Sequence, residues 1–167
     1  MIPTVQTSAM SVLHSLSTRQ ASALLVHART LQQSARAGAI QPLLNGKRLG
    51  LLCESADAPD AALFRRAAGE LGAHVTHVPP SLTEASSPQE VAHTARLLGK
   101  LYDAVECQGM PPALVRRMGA DAGVPVYDGI ASRNHPTARL ADQLDAGSPA
   151  ADKRRFLLQA LLLSTLA

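Results

Sequence analysis

The sequence predicts an α/β fold, a three-layer arrangement in which a parallel sheet lies between helices. Short apolar segments alternate with amphipathic ones from residue 47 onward, and the first is hydrophobic nearly throughout, as a strand buried on both faces should be. The predicted strands are Leu49 to Glu54, His74 to Pro79, Ala104 to Gln108 and Pro125 to Asp128. Strands joined by helices form right-handed crossover units, so the four strands are expected to run parallel.

Each predicted helix has a recognisable start or stop. Ser17 and Gln20 form a capping-box pattern before a helix that ends near Gly38. Ser87 and Glu90 form a second such pattern before the helix that follows the second strand. The other helices are predicted over Asp57 to Leu71, Pro111 to Ala122, Pro136 to Ala146 and Pro149 to about Leu166. No strand separates the last two helices, so the alternation stops after the fourth strand.

The composition limits the classes of function. Of the 167 residues, 46% are hydrophobic and 17% are charged, which is enough apolar material for one sizeable core. Only 2% are aromatic, so the stacking platforms that bind single-stranded nucleic acid are not expected. A net charge of +3 describes a mildly basic surface, and two cysteines do not make a disulfide framework. We therefore expect a cytoplasmic protein without nucleic-acid partners.

The chain is expected to comprise an N-terminal extension, residues 1–15, and a single domain, residues 16–167, whose last part, 148–167, is a C-terminal helix. The extension lacks the basic start and apolar run of a signal peptide. The most apolar stretch, Phe156 to Leu166, is too short to span a bilayer, which takes about 20 residues. We expect a buried helix there and no membrane partner. Three basic residues just before it, 153–155, leave a membrane-surface helix as the alternative.

An ordered set of motifs accompanies these elements. The motifs are residues 43–47 before the first strand, 70–75 entering the second, 94–99 in a helix, 124–129 at the fourth strand, and His135-Pro136 with Leu140-Ala141-Asp142 after it. Together they resemble the N-terminal, carbamoyl-phosphate-binding domain of the aspartate and ornithine carbamoyltransferases. The resemblance implies the strand order 2-1-3-4 and a trimer built through this domain. Residues 152–163 resemble the family's last helix, and the amino-acid-binding domain that precedes it in full-length members is missing here.

The chain departs from this family where the ligand should bind. Family members carry a Ser-Thr-Arg-Thr-Arg segment at the start of the first crossover helix, where backbone N–H groups and an Arg hold the phosphate. Residues 57–61 are Asp-Ala-Pro-Asp-Ala, with Asp57 expected as the N-cap and Asp60 as an acid in the first turn. These carboxylates would repel a phosphate, so this loop is not expected to bind carbamoyl phosphate.

Other family contacts are also absent. Gln108 stands where the family has an Arg, and Ala138 stands where the signature after the fourth strand has a Gln. The loop 81–87 lacks the Lys or Gln that a neighbouring subunit contributes in family members. His135 is then the one ligand-contacting side chain that the resemblance retains, with Arg133 and Arg139 flanking it. Its alternative role is that of a turn residue before the helix.

Two further patterns favour structural explanations. His74 and His77 lie three apart on a strand and so face opposite sides, which makes them a poor pair for a metal. Cys53 and Cys107 end the first and third strands, neighbours in the family's order, so their thiols could lie close together. We expect two small buried hydrophobes rather than redox chemistry. No metal or other cofactor is predicted.

Three functions remain open at this stage. The first is a degenerate, catalytically inactive homologue with a structural, regulatory or ligand-binding role, as a homo-oligomer or with another protein. The second is a carbamoyltransferase component that a partner chain completes. The third is a binding module for a small amine or cationic metabolite in an acidic crevice. No residue is assigned a catalytic role, and the candidate crevice residues are Glu54, Ser55, Asp57, Asp60, Gln108, Arg133, His135 and Arg139.

Overall fold

A computed structural model describes residues 17–145 and 147–167. The predicted N-terminal extension, residues 1–15, lies outside the described residues. In chain order the elements are α1 (Thr18–Arg36), β1 (Arg48–Leu52), α2 (Pro59–Glu70), β2 (His74–Val78), α3 (Pro88–Leu101), β3 (Ala104–Cys107), α4 (Pro112–Ala122), β4 (Val126–Asp128), α5 (Thr137–Ala141) and α6 (Ala150–Leu166).

The four strands form one parallel sheet in the order β2-β1-β3-β4. The register pairs Leu52 with Cys107 and Cys107 with Asp128, so β1, β3 and β4 end at the same level. The predicted fold class, strand order and parallel topology are confirmed. Because ligands of parallel α/β sheets bind beyond the carboxyl ends of the strands, this alignment brings the loops after these three strands together.

Two apolar clusters cover the two faces of the sheet. Side chains from α1, α2, α5 and α6 form the larger cluster, and α3 and α4 form the smaller one. Cys53 belongs to the larger cluster and Cys107 to the smaller one, so the two residues face opposite sides of the sheet. The suggestion that their thiols lie close together is therefore wrong. The two strands are neighbours, as predicted. Cys107, however, pairs with Leu52, and Cys53 is the next residue. Because successive side chains of a strand point to opposite faces, Cys53 points away from Cys107.

The C-terminal helix α6 is part of the core, as expected. Its residues 155–163 are all buried, and it packs against α1, α2 and α5. The two buried polar side chains on it have partners on α2: Arg155 Nε lies 3.0 Å from Glu70 Oε2, and Gln159 Nε2 lies 2.9 Å from the same oxygen. Because residues 155–163 are buried on every side of the helix, they leave no apolar face for a membrane surface, and that alternative is not supported. Within the described residues no helix is long and apolar enough to cross a membrane.

The predicted ends of the helices hold with two corrections. Ser17 and Gln20 form the predicted capping box. Of the second predicted box only one bond is formed, in which the Ser87 hydroxyl accepts the Glu90 N–H. Asp57, however, does not cap α2: the N-cap is Ala58, without a side-chain hydrogen bond. The first turn begins at the proline that follows Ala58, one residue too late for the Asp57 carboxylate to reach its N–H groups.

The second correction concerns α5, which ends at Ala141 and not near residue 146 as predicted. After Ala141 the backbone tightens into i→i+3 hydrogen bonds, from Gln143 N to Leu140 O and from Leu144 N to Ala141 O. Asp145 then pairs with Arg36 of α1 at 2.8 Å, which holds the joint between α5 and α6 against the first helix.

Candidate functional site

The predicted crevice residues lie on the loops after β1, β3 and β4, but they differ in exposure. Glu54, Ser55 and Asp57 are exposed, and so are Arg133 and Arg139. Asp60 and Gln108 are half-buried, and His135 is buried with 7% of its surface exposed. Most of the charged candidates therefore face solvent, and the buried part of the site is made of uncharged or hydrogen-bonded groups.

Gln108 and Asp60 are brought together, although not through the Asp60 carboxylate. Gln108 Nε2 donates to the Asp60 main-chain oxygen at 3.1 Å and lies 3.4 Å from Glu106 Oε2. The amide thus links the end of β3 to the first turn of α2. The polar group that stands where the resemblance places an Arg is engaged inside the protein.

Glu106 was not among the candidates, and it is the most deeply buried acid of the site, with no exposed surface. Its Oε1 accepts the Ile130 N–H and its Oε2 accepts the Ala131 N–H, both at 3.1 Å. Burial raises the pKa of this carboxyl to about 8, although the N–H donors of Ala131 and Ile130 favour the charged form and oppose the rise. A Glu inside the otherwise apolar strand of residues 104–107 was the available signal.

The loop after β4 is held from two sides. Glu106 binds the N–H groups of residues 130 and 131, and Arg154 Nη2 of α6 donates to the Ala131 carbonyl at 2.6 Å. A continuous chain of hydrogen bonds therefore runs from Asp60 through Gln108, Glu106 and Ala131 to Arg154. It ties the first turn of α2 and the loops after β3 and β4 to one another and to the last helix.

The ring of His135 has a defined tautomer. The Thr137 main-chain N–H, which can only donate, lies 3.2 Å from His135 Nδ1, and the Thr137 hydroxyl oxygen lies 2.8 Å from the same nitrogen. Because Nδ1 accepts, the proton of the neutral ring is on Nε2. These contacts are the local turn bonds expected of a residue before a helix. They also orient the ring as a hydrogen-bond donor.

A cleft of about 350 Å³ opens between the carboxyl ends of β3 and β4. Its walls are Cys107, Gly109, Pro112, Asp128, Gly129, Ser132, Asn134, His135 and Pro136. Of the predicted crevice residues only His135 is among these walls, and the acid that lines the cleft is Asp128. A role in ligand binding stays a prediction for all eight candidates, His135 included.

The two cysteines do not present a reactive thiolate. Burial raises the pKa of Cys107, with the nearby Glu106 and Asp128 carboxylates adding to the effect. Burial also raises the pKa of Cys53. Both thiols stay protonated near neutral pH, and only the thiolate is nucleophilic. Among the residues that the structure describes, no group of three or more His, Cys, Asp or Glu could hold a metal ion.

The comparison with known families decides the relationship. A family model for the aspartate/ornithine carbamoyltransferase, carbamoyl-phosphate-binding domain, matches residues 9–146. The chain belongs to this family. Ornithine carbamoyltransferase of Cutibacterium acnes is 38% identical over 128 residues, which are 77% of this chain and 38% of that enzyme. The catabolic ornithine carbamoyltransferase of Haemophilus influenzae is 35% identical over 126 residues, which are 75% and 38% of the two chains.

Solved structures of this carbamoyltransferase family share the fold. Ornithine carbamoyltransferase from Pyrococcus furiosus superimposes with a TM-score of 0.67 at 25% identity, over 78% of this chain and 42% of that one. Aspartate transcarbamoylase from Trypanosoma cruzi gives a TM-score of 0.62 at 22% identity, over 79% and 42%, which shows the common fold. The chain therefore spans less than half the length of these carbamoyltransferases.

Proposed function

We propose that this carbamoyltransferase-family domain does not itself bind carbamoyl phosphate or transfer a carbamoyl group, and has a structural, regulatory or ligand-binding role. The observation that carries the proposal is the first turn of α2, where the resemblance places the phosphate. There Ala58 is the N-cap, Pro59 removes an N–H donor, and the Asp60 carboxylate lies in the turn. A carboxylate next to a helix N-terminus supplies the anion that the helix dipole favours and repels a second one.

The groups around this turn support the same interpretation. Gln108 is uncharged, and its amide is engaged by the Asp60 carbonyl and Glu106. The nearby Arg65 guanidinium donates to the Ala56 carbonyl at 2.6 Å. A bidentate guanidinium–phosphate contact is the main source of affinity in sites of this type, and neither side chain supplies one in this arrangement.

Isothermal titration of the full chain with carbamoyl phosphate tests the proposal, together with a citrulline assay in the presence of ornithine. We expect no saturable heat at millimolar ligand and no product. A graft of Ser-Thr-Arg-Thr-Arg onto residues 57–61, combined with Gln108→Arg, should produce saturable binding if these positions are responsible. Saturable binding or citrulline formation by the unaltered chain would refute the proposal.

The second candidate is a carbamoyltransferase component that another chain completes, and the 38% coverage of its relatives favours it. Such a partner must supply the amino-acid-binding domain and cationic groups for the phosphate. Purification of the tagged chain from its source, followed by citrulline and carbamoyl-aspartate assays, tests this candidate. Inactive fractions without a stoichiometric partner would exclude it. Sedimentation of the isolated chain tests whether it forms the trimer that the resemblance implies.

A further inference from the structure

We infer that the cleft between β3 and β4 binds a small primary ammonium compound through Asp128. This deepens the proposed function and rests on it, because a domain that does not take up carbamoyl phosphate leaves this end of the sheet to another ligand. At about 350 Å³ the cleft falls at the lower end of the range of small-molecule sites. It therefore suits a ligand of a few heavy atoms.

The charge of the cleft selects the class of ligand. Among its described walls, Asp128 is the only carboxylate, and no Lys or Arg is included. Phosphates and carboxylates would meet negative charge here without a compensating cation, whereas an ammonium group would form a charge-assisted hydrogen bond to Asp128.

The remaining polar groups suggest that the ligand also carries a hydroxyl or a second amine. Asn134 and Ser132 line the wall next to His135. The Ser132 oxygen accepts the Asn134 N–H at 3.2 Å, and its hydroxyl hydrogen can rotate to donate to a ligand. The Asn134 side-chain amide can both donate and accept. Ethanolamine and putrescine match this set of groups and serve as probes.

The binding experiment uses the ¹⁵N-labelled full chain and two-dimensional NMR. Ethanolamine or putrescine should shift the amide signals of Gly109, Gly129 and Asn134 in a saturable manner, and inorganic phosphate should not. Asp128→Asn keeps the shape of the side chain and removes its charge, so the Kd for the amine should rise about tenfold or more. Added salt should weaken binding to the unaltered chain and have little effect on the variant.

Two further variants make the result specific. Glu84→Gln, on the exposed loop after β2, is the matched control for a lost carboxylate and should bind like the unaltered chain. Asp57→Asn tests the acidic crevice that the sequence predicted. Loss of amine binding in Asp57→Asn with retention in Asp128→Asn would overturn the inference, as would equal shifts with phosphate or no shift with either amine. If the spectrum of Asp128→Asn shows that this variant is unfolded, two measurements on the unaltered chain test the inference instead. These are the salt dependence of amine binding and the comparison of amine with phosphate.

Failure of this inference is distinguishable from failure of the proposed function. Absence of amine binding leaves the expected lack of carbamoyl transfer unaffected. Citrulline formation, in contrast, would refute the proposed function whether or not the amines shift the signals of the cleft.

Discussion

Glu106→Gln should abolish a specific part of the pH dependence of stability. The Glu106 carboxyl has no exposed surface, and its folded-state pKa of about 8 lies above the ordinary value of 4.5. The folded state therefore retains a proton that the unfolded chain loses between these two pH values. The contribution of Glu106 is most favourable below pH 4.5, decreases as pH rises toward 8, and is constant above it.

The magnitude follows from the two pKa values. At 1.36 kcal/mol for each pH unit between them, the free energy of unfolding should fall by at most about 5 kcal/mol between pH 4.5 and 8. Glutamine cannot titrate, so the variant lacks this decrease. Its NH₂ group replaces an oxygen that accepts an N–H of residue 130 or 131, so the variant should be less stable at low pH by about 1–3 kcal/mol.

Urea denaturation followed by far-ultraviolet circular dichroism at pH 5, 6, 7 and 8 measures the effect. The unfolding free energy of the unaltered chain minus that of Glu106→Gln should fall steadily with pH and, at the full magnitude, become negative by pH 8, because only the unaltered chain loses the Glu106 contribution. The six His and the other groups titrate in both proteins and cancel in this difference. Glu84→Gln should show the slope of the unaltered chain. Parallel curves for Glu106→Gln and the unaltered chain would refute the account of Glu106.

Two further predictions concern the packing of helices. Gly99→Ala should destabilise the fold by about 2–3 kcal/mol, because a Cβ there would lie 1.8 Å from the Ala122 carbonyl oxygen and α3 would have to move away from α4. Gly69→Ala, with nothing within 4 Å of the new Cβ, is the matched control and should stabilise α2 by about 0.5–1 kcal/mol in the same urea assay. Arg155→Met should lower stability by about 2–3 kcal/mol, because Glu70 loses its buried cationic partner and keeps only the neutral amide of Gln159 beside the same oxygen, and Glu70→Gln in the same chain should recover part of the loss. Unchanged urea midpoints in Gly99→Ala or Arg155→Met would contradict these assignments.

The sequence was sufficient for the fold because the local signals agree with one another. Short apolar segments alternating with amphipathic ones marked the strands, the family resemblance implied their order, and the pattern around Ser17 predicted the start of α1 correctly. The end of α5 could not be read in the same way. The residues up to Ala146 have ordinary helix propensity, so nothing local predicts that α5 ends at Ala141. The segment after Ala141 instead makes tertiary contacts, above all the ion pair between Asp145 and Arg36.

The candidate site was harder to predict. A sequence shows which side chains are charged, but it does not show whether they point into the cleft or into solvent. Asp57 and Glu54 were grouped as an acidic crevice on the basis of their loop, and both face solvent. Asp128 was counted as the last residue of a strand, and its position on the wall of the cleft depends on how the loop at residues 129–136 folds back. The sequence places Glu106 in a strand, and only the tertiary structure shows that two backbone N–H groups face it.

The raised pKa of the buried Glu106 carboxyl is connected with the absence of an Arg at position 108. The resemblance implies an Arg at position 108, which would place a permanent positive charge at the end of β3, next to Glu106. With Gln108 there, Glu106 has only dipolar donors, so burial dominates and raises its pKa. The same substitution removes the cation that a phosphate requires at this end of the sheet. We therefore expect Gln108→Arg to lower the pKa of Glu106 and to add a positive charge at this end of the sheet.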